Sequence, residues 1–245
     1  MCEKKYLLMW LEGPLQSWGD RSRYSRRETQ LFPTKSGVYG LILCALGLSG
    51  AQTEILAVMS DFRLDVFGYK KLKSDFSENL KSDFSENSIM RDFHMIGSGY
   101  DNSDLWEKYL IPKTQQGEAA VGGGTKITYR YYLQNMAFAC ILEIPSSFDV
   151  DIASALETPK WPLFLGRKCC VPSDIIYRGT FDEYQDAVDK ADNIAVVKER
   201  YKSIEAYDGR RDDLEGVDFW VLNDVPVEFG DYKKYRERII TVRKS

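Results

Sequence analysis

The sequence is poor in the side chains that build metal sites and hydrolytic centres. Among 245 residues it has one histidine, His94, and five cysteines at scattered positions without a C-x-x-C pair. Structural zinc sites need clustered Cys and His ligands, and an odd number of scattered cysteines does not form a disulfide framework. We therefore expect no metal site, no cofactor and no paired-histidine ribonuclease centre.

Long apolar segments and a large excess of one charge are also missing. The longest apolar run, 38–48, is interrupted by glycine and falls far short of a bilayer span of about 20 residues. The formal net charge of −4 argues against a free-standing protein that coats nucleic acid, although it allows a local basic face. With 44% apolar residues the chain can form a packed core, so we expect a globular, cytoplasmic protein without membrane contact.

The segment FPTKSGVYGLILCALGL, residues 32–48, predicts one buried helix. Thr34 or Ser36 can cap the first free backbone N–H groups, and the apolar stem is long enough to cross a small domain. The helix is expected to end near Gly47 or Gly50, because glycine favours helix termination.

Two glycines inside this helix predict a close approach to its first turn. Gly37 and Gly40 each cost about 1 kcal/mol relative to alanine in a helix interior. The approaching group is either protein packed flat against the helix or a phosphate. A helix N-terminus beside Lys35 is a favourable anion site, so both alternatives stay open.

The loop before this helix, residues 13–30, combines arginines with aromatic side chains. It follows an apolar strand predicted over 5–11 and contains only two acidic residues, Asp20 and Glu28. Guanidinium groups bind phosphates and flat rings stack on unpaired bases, so the composition favours contact with single-stranded RNA. The alternative is an ordinary solvated loop. The residues concerned are Trp18, Arg21, Arg23, Tyr24, Arg26 and Arg27.

A second basic loop occurs at 161–174, WPLFLGRKCCVPSD. Gly166 precedes Arg167 and Lys168, an arrangement in which backbone and side chains can converge on a phosphate. The spacing matches no nucleotide-binding fingerprint.

Residues 88–136 have strand-like ends and a polar, glycine-rich middle, which predicts an arm or hairpin that projects from the body. If His94 were a catalytic base, with a Tyr or Lys assisting, the base of this arm could cleave RNA. We favour a stacking, hydrogen-bonding or structural role for His94, because nothing in the sequence fixes a second catalytic partner. The residues at the base of the arm are Arg91, His94, Lys126, Tyr129 and Arg130.

The remaining segments complete an order β-α-β-arm-β-α-β, an α+β pattern of the ferredoxin-like type. A tandem duplication, LKSDFSEN at 72–79 and again at 80–87, predicts a tolerant surface loop. The predicted elements are a half-exposed strand over 61–72, a central strand over 136–144, helices over 148–159 and 181–192, and strands over 217–222 and 236–244.

Three blocks of the sequence carry a resemblance to a known family. They are LEGPLQSWGDRSRYSRRETQLFPTKSGVYGLILCALGL, RDFHMIG and WPLFLGRKCC, in that order along the chain. Together they resemble the CasD-type subunits of type I-E CRISPR Cascade complexes, which belong to the fifth Cas family of the RAMP superfamily. The G-P-x-Q-x-W-G loop followed by F-P-T-x-S-G is the most specific part of the match.

The resemblance implies a single RRM-like domain over 1–245, a modified ferredoxin-like palm with a thumb inserted at about 92–131. Such subunits hold the 5′ handle of the CRISPR RNA, contact the large subunit and a backbone subunit, and meet target DNA only indirectly. The related type I-C subunit is itself a metal-independent ribonuclease, so RNA processing is the alternative to a non-catalytic scaffold. A third possibility is an adaptor that meets only proteins. The RNA-binding residues implied are Gln16, Ser17, Trp18, Arg21, Arg23, Arg26, Arg27, Lys35, Ser36, Arg91, His94, Lys126, Arg130, Gly166, Arg167 and Lys168.

Overall fold

The computed structural model describes residues 3–19, 25–72, 88–96, 114–118 and 126–244, with the backbone alone for Ile96 and Lys126. The helices in these ranges are α1 (Lys35–Leu46), α2 (Thr53–Met59), α3 (Ser146–Glu157) and α4 (Tyr184–Val197). The strands are β1 (Lys4–Glu12), β2 (Leu15–Gln16), β3 (Trp18–Gly19), β4 (Arg26–Arg27), β5 (Thr29–Gln30), β6 (Leu64–Lys71), β7 (Ile89–Ile96), β8 (Lys126–Gln134), β9 (Ala137–Pro145), β10 (Tyr177–Phe181), β11 (Arg200–Asp208), β12 (Val217–Glu228) and β13 (Lys234–Lys244).

A seven-stranded antiparallel sheet forms the body, in the order β10-β1-β9-β6-β11-β13-β12. The first four strands in this order follow one another along the chain as β1, β6, β9 and β10, with α1 between β1 and β6 and α3 between β9 and β10. The strands of the smaller sheets and α2 are inserted between them. Strands β11, β13 and β12 then extend the sheet beyond β6. The predicted mixture of helices with antiparallel strands is confirmed.

Helices cover both faces of this sheet, and β1 shows the consequence for the sequence. Leu7, Met9 and Leu11 belong to the apolar cluster on the side of α1 and α3, whereas Leu8 and Trp10 belong to the cluster on the side of α4. Because side chains alternate along a strand and both faces are covered, the strand is a continuous apolar run.

The predicted helix over 32–48 is confirmed as α1. Thr34 is its N-cap and accepts a hydrogen bond from the Gly37 N–H at 3.2 Å. Gly47 ends the helix in the left-handed conformation, with φ of 74°. Val38, Tyr39 and Ile42 are completely buried, which places α1 in the middle of the larger core.

The prediction of a half-exposed strand over 61–72 is wrong in one respect, since β6 is buried on both faces. Asp65 looked like a solvent-facing residue, yet it is fully buried. Its carboxylate accepts hydrogen bonds from the Tyr184 hydroxyl at 2.6 Å and from the Asp208 N–H at 2.9 Å. A buried carboxylate with such partners is compatible with a core strand, because its desolvation is compensated.

The other predicted elements are found, with shifted ends. The central strand is β9, the two helices are α3 and α4, and the two C-terminal strands are β12 and β13. Strands β10 and β11 were not predicted. The base of the arm is the antiparallel pair of β7 and β8, which belongs to a smaller sheet with β2 and β4. Most of the predicted thumb, and the LKSDFSEN duplication after Leu72, lie outside the described residues.

Candidate nucleic-acid interface

A cleft of about 710 Å³ opens where the two basic loops meet α1. One side is formed by residues 17–19 and 27–28, another by residues 163–167, and the floor by one face of α1. The remaining side is the turn between β12 and β13, represented by Phe229, Lys233 and Tyr235. Two of the three sequence blocks that carry the family resemblance, the first block and WPLFLGRKCC, therefore meet at one cavity.

The loop that contains Gln16 and Trp18 is anchored inside the protein. The Gln16 amide donates to the carbonyl oxygens of Leu11 at 3.0 Å and Met136 at 2.9 Å, and its oxygen accepts from the Trp18 indole N–H at 3.1 Å. Gln16 is fully buried and Trp18 is 1% exposed. The expectation that Trp18 stacks on a base is therefore at odds with its place in the core, because its ring is covered by protein.

The first helix glycine, Gly37, is explained by this indole. A Cβ built on Gly37 would lie 2.8 Å from the six-membered ring of Trp18, closer than a side chain tolerates. Gly40 differs, because a Cβ there would have no heavy atom within 4 Å. Close packing of protein therefore explains the glycine at position 37, whereas the surface of α1 at Gly40 is open toward the cleft.

Gly166 has a structural reason for being glycine. Its φ is +93°, and a Cβ would lie 1.7 Å from the carbonyl oxygen of Ser17. A hydrogen bond from the Ser17 N–H to the Leu165 carbonyl oxygen, at 3.1 Å, holds the two loops together at this point. Glycine therefore allows the second basic loop to lie directly on the first.

Arg167 fastens three segments together. Its guanidinium donates to the carbonyl oxygens of Tyr131 at 3.2 Å, Arg27 at 2.9 Å and Glu28 at 3.4 Å. It also lies over the ring of Tyr132, 4.7 Å from the ring centroid. Most N–H donors of the guanidinium are therefore used within the protein. Arg167 contributes positive charge to the cleft but has few donors left for a bidentate contact with a phosphate. Lys168, next in sequence, is exposed.

The N-terminus of α1 is occupied by a carboxylate of the chain itself. Asp224 accepts a hydrogen bond from the Lys35 N–H at 2.8 Å, which fills the predicted anion site from within. The Lys35 side chain is 4% exposed and pairs with Asp208 at 3.2 Å. Burial lowers the pKa of the Lys35 amine. The structure thus places Lys35 in a buried ion network and leaves Ser36, next to it, on the wall of the cleft.

One face of the sheet formed by β4, β8 and β7 carries both arginine and aromatic groups, and we call it the ladder face. The Arg26 guanidinium lies 5.1 Å from the Tyr131 ring centroid, and that of Arg91 lies 5.6 Å from the Tyr129 centroid. Phe93 is 52% exposed and packs against Tyr129, with 5.6 Å between centroids. Arg26 comes from the loop over 13–30, for which the sequence predicted contact with unpaired bases, and this face places it beside rings of β8.

His94 and Arg130 lie on the opposite face of the same sheet. In the β7–β8 register His94 is opposite Thr128 and Phe93 is opposite Tyr129, so the alternation of the strand directs His94 away from Tyr129. Among the described residues His94 has one carboxylate within 4 Å, that of Asp92, whose oxygen is 3.8 Å from Nδ1. Arg130 stands beside Arg27 in the β4–β8 pair, which continues the basic surface from the cleft.

Several cations near the cleft have no hydrogen bond or ion pair with the described residues. Sequence reasoning missed Lys233 and its aromatic neighbours, although the turn FGDYKKY has the same mixture of cations and rings as the arginine loop. Of the other predicted residues, Arg21 and Arg23 lie outside the described ranges, and Lys126 is placed only by its backbone at the start of β8. The free cations are Arg27, Arg130, Lys168 and Lys233.

Two classes of site are not found in the described part of the chain. No group of three or more His, Cys, Asp or Glu side chains is arranged to hold a metal ion there. Among the described helices, none is both long and apolar enough to cross a membrane.

Comparison with known proteins identifies the family. A family model described as CRISPR-associated protein (Cas_Cas5) matches residues 6–243. The CRISPR system Cascade subunit CasD of Escherichia coli (strain K12) is 26% identical over 181 residues, which cover 72% of this chain and 71% of that protein. A chain of a solved CRISPR RNA-guided surveillance complex has a TM-score of 0.67 and 25% identity, over 98% of this chain and 90% of that one.

A second solved structure, a crystal structure of a Cas protein, has a TM-score of 0.51 and 22% identity over 98% of this chain and 93% of that one, and it shows the shared fold alone. The family match extends over nearly the whole sequence. The chain therefore belongs to the Cas5 family of CRISPR-associated proteins.

Proposed function

We propose that this chain is a non-catalytic RNA-binding subunit of a cytoplasmic CRISPR surveillance complex, and that it holds the 5′ handle of the guide RNA. In this role it also bridges the large subunit and a backbone subunit, and meets target DNA only through the assembled complex. The similarity to CasD and to a chain of a surveillance complex supports membership in such an assembly.

The observation that carries the proposal is the basic cleft with its free cations. Arg27 and Lys233 reach the cavity from opposite sides, and Arg130 and Lys168 lie beside it without described partners. The chain as a whole is acidic, with a formal charge of −4, so this local concentration of cations is not a general property of its surface. A positive groove with aromatic neighbours is the arrangement that binds single-stranded RNA.

The strand order supports the ferredoxin-like part of the proposal. With the strands of the smaller sheets and α2 counted as insertions, the elements β1-α1-β6-β9-α3-β10 and their sheet order β10-β1-β9-β6 have the βαββαβ connectivity of that fold. On this assignment the β7–β8 pair is the root of the thumb, and the face that carries Arg130 continues from the cleft.

Within the catalytic alternative, the geometry of the β7–β8 pair disfavours one pairing, that of His94 with Tyr129. A ribonuclease centre of His94 and Tyr129 would need both side chains on one side of the substrate, and the strand alternation sends them to opposite faces. The one carboxylate within 4 Å of the His94 ring among the described residues is that of Asp92, and 3.8 Å is too long for a hydrogen bond.

The test is binding and cleavage of a labelled repeat RNA by the purified full chain in the presence of a chelator, beside His94→Ala. We expect both proteins to retain RNA that contains the 5′ handle and to leave it uncut. Cleavage that His94→Ala abolishes would instead make the chain a processing ribonuclease. A chain that binds neither repeat RNA nor a mature guide would be an adaptor for proteins.

Removing the free cations should change the salt dependence of RNA binding. For a single strand, log K falls with log salt, and each cation that no longer neutralises a phosphate makes this negative slope shallower by about 0.7. We expect Arg27→Ala and Arg130→Ala each to make the slope shallower by about that amount without changing the thermal midpoint. Lys190→Ala is the matched control, since Lys190 is exposed on α4, on the opposite side of the sheet. Slopes equal to that of the control would contradict the placement of RNA at the cleft.

A further inference from the structure

The floor of the cleft includes Gly40 of α1, and no packed protein group explains why this position is glycine. Glycine in a helix interior destabilises it by about 1 kcal/mol relative to alanine. At Gly37 the Trp18 ring accounts for this cost, but at Gly40 no heavy atom lies within 4 Å of the Cβ position. Gly40 lines the cleft, so the absence of a side chain there keeps the cavity deep.

The walls provide a flat apolar surface and a free positive charge. Phe164, Phe229 and Tyr235 line the cavity, and Tyr235 is 38% exposed. Lys233 is exposed and has no hydrogen bond or ion pair with described residues. Arg167, across the cleft, has its guanidinium bonded to three carbonyl oxygens. Lys233 is therefore better placed than Arg167 to pair with an incoming phosphate.

The size of the cavity and its chemistry fit a single nucleotide. Pockets that enclose small ligands have volumes of about 300 to 1,000 Å³, and this one has about 710 Å³. Aromatic walls beside a cation suit a base or sugar that carries a phosphate. A protein segment can pair with Arg27 and Lys233 through carboxylates or carbonyl oxygens, so the experiments below distinguish it from RNA.

We propose that one unpaired nucleotide of the bound RNA enters this cleft, lies against α1 at Gly40 and has its phosphate paired with Lys233. The inference rests on the proposed function and deepens it, because it places one nucleotide of the handle and makes the β12–β13 turn part of the RNA site. The turn thus closes the site from the side opposite the two loops that the sequence identified.

The first experiment adds a side chain at Gly40, on the floor of the cleft. Binding of a labelled single-stranded RNA with the 5′ handle is compared for the wild-type chain, Gly40→Ala and Gly40→Leu. Alanine meets no neighbour and is the better helix former, so the thermal midpoint of Gly40→Ala should equal or exceed that of the wild type. RNA affinity should nevertheless fall, by about tenfold or more for Gly40→Leu, because the side chain occupies the space of the nucleotide.

The second experiment identifies which phosphate of the RNA pairs with Lys233. Each linkage of the handle is replaced in turn by a neutral methylphosphonate, and binding is measured for the wild type, Lys233→Ala and the control Lys190→Ala. A double-mutant cycle between protein and RNA isolates the pairwise contact. We expect Lys233→Ala to couple with one linkage, at which the two changes together cost no more than either alone. Lys190→Ala should couple with none.

The outcomes separate this inference from the function it rests on. If the wild-type chain binds no RNA, both are overturned. If the wild type binds but Gly40→Leu and Lys233→Ala bind equally well, the nucleotide site is wrong and the RNA-binding role stands. If Gly40→Leu leaves RNA affinity unchanged but prevents assembly with the other subunits, the cleft receives a protein segment, which also overturns the inference.

Discussion

Replacing Asp224 by alanine is expected to lower the free energy of unfolding by about 3 to 5 kcal/mol, the usual cost of breaking a buried ion pair. The Asp224 carboxylate accepts from Arg238 at 2.7 and 3.0 Å and from the Lys35 N–H at 2.8 Å. Its side chain is 7% exposed and that of Arg238 is 9% exposed. Without Asp224, two buried cations, Lys35 and Arg238, share the single carboxylate of Asp208.

Chemical denaturation measures this loss, with Asp218→Ala as the control. Asp218 lies on the same strand, is exposed, and has no partner among the described residues, so its removal should change stability by less than about 0.5 kcal/mol. The double variant Asp224→Ala with Arg238→Met should recover much of the loss, because it removes the uncompensated charge as well. Equal stabilities for the two aspartate variants would show that the network contributes little.

Substituting Gly166 by alanine should open the cleft and cost more stability than any other glycine change at a similar φ. The new Cβ would collide with the Ser17 carbonyl oxygen, 1.7 Å away, and both partners are backbone, so neither can turn aside. We expect a loss of about 3 kcal/mol, which combines backbone strain with the steric separation of the loops. Arg167 moves with the loop, so RNA affinity should fall as well.

Gly209→Ala separates the two causes. Gly209 has φ of +86°, close to that of Gly166, but a Cβ there would meet nothing within 4 Å. Its substitution should cost about 1 to 2 kcal/mol, the strain of a left-handed residue alone, and should leave RNA affinity unchanged. The difference in unfolding free energy between the variants then measures the contact between the loops. If the two losses are the same, that contact is not tight in solution.

Local patterns were sufficient for the core elements and insufficient for the site. The strand β1, the helix α1 and the strand β9 carry signals that need no distant partner: an apolar run, a cap with a terminating glycine, and a second apolar run. The strand β11 has no such signal, because Arg200 and Glu205 interrupt it. Both are buried, and each is paired with a residue far along the chain, Arg200 with Glu12 and Glu205 with Arg243. Composition cannot reveal partners of this kind.

The same limit explains the misplaced members of the RNA site. Gln16 and Trp18 belong to a polar loop, and polar loops are normally solvated, so an exposed role was the natural expectation. Gln16 is instead buried because one of its carbonyl partners, that of Met136, comes from 120 residues away. Lys35 is buried for a comparable reason. Arg27 and Lys168 kept their predicted exposure because no described residue pairs with them.

The position of Asp224 at the start of α1 also has a consequence for the order of events during synthesis. Lys35 leaves the ribosome long before its partners, which follow 173 residues later at Asp208 and 189 residues later at Asp224. Until then the apolar helix α1 begins with a lysine whose charge has no partner, and β6 lacks β11, the strand that covers its free edge. Domains held by such distant contacts fold late and expose apolar surface while they wait. The chain is therefore expected to need its last 40 or so residues before its first helix can settle, and C-terminal truncations should yield insoluble protein rather than a smaller domain.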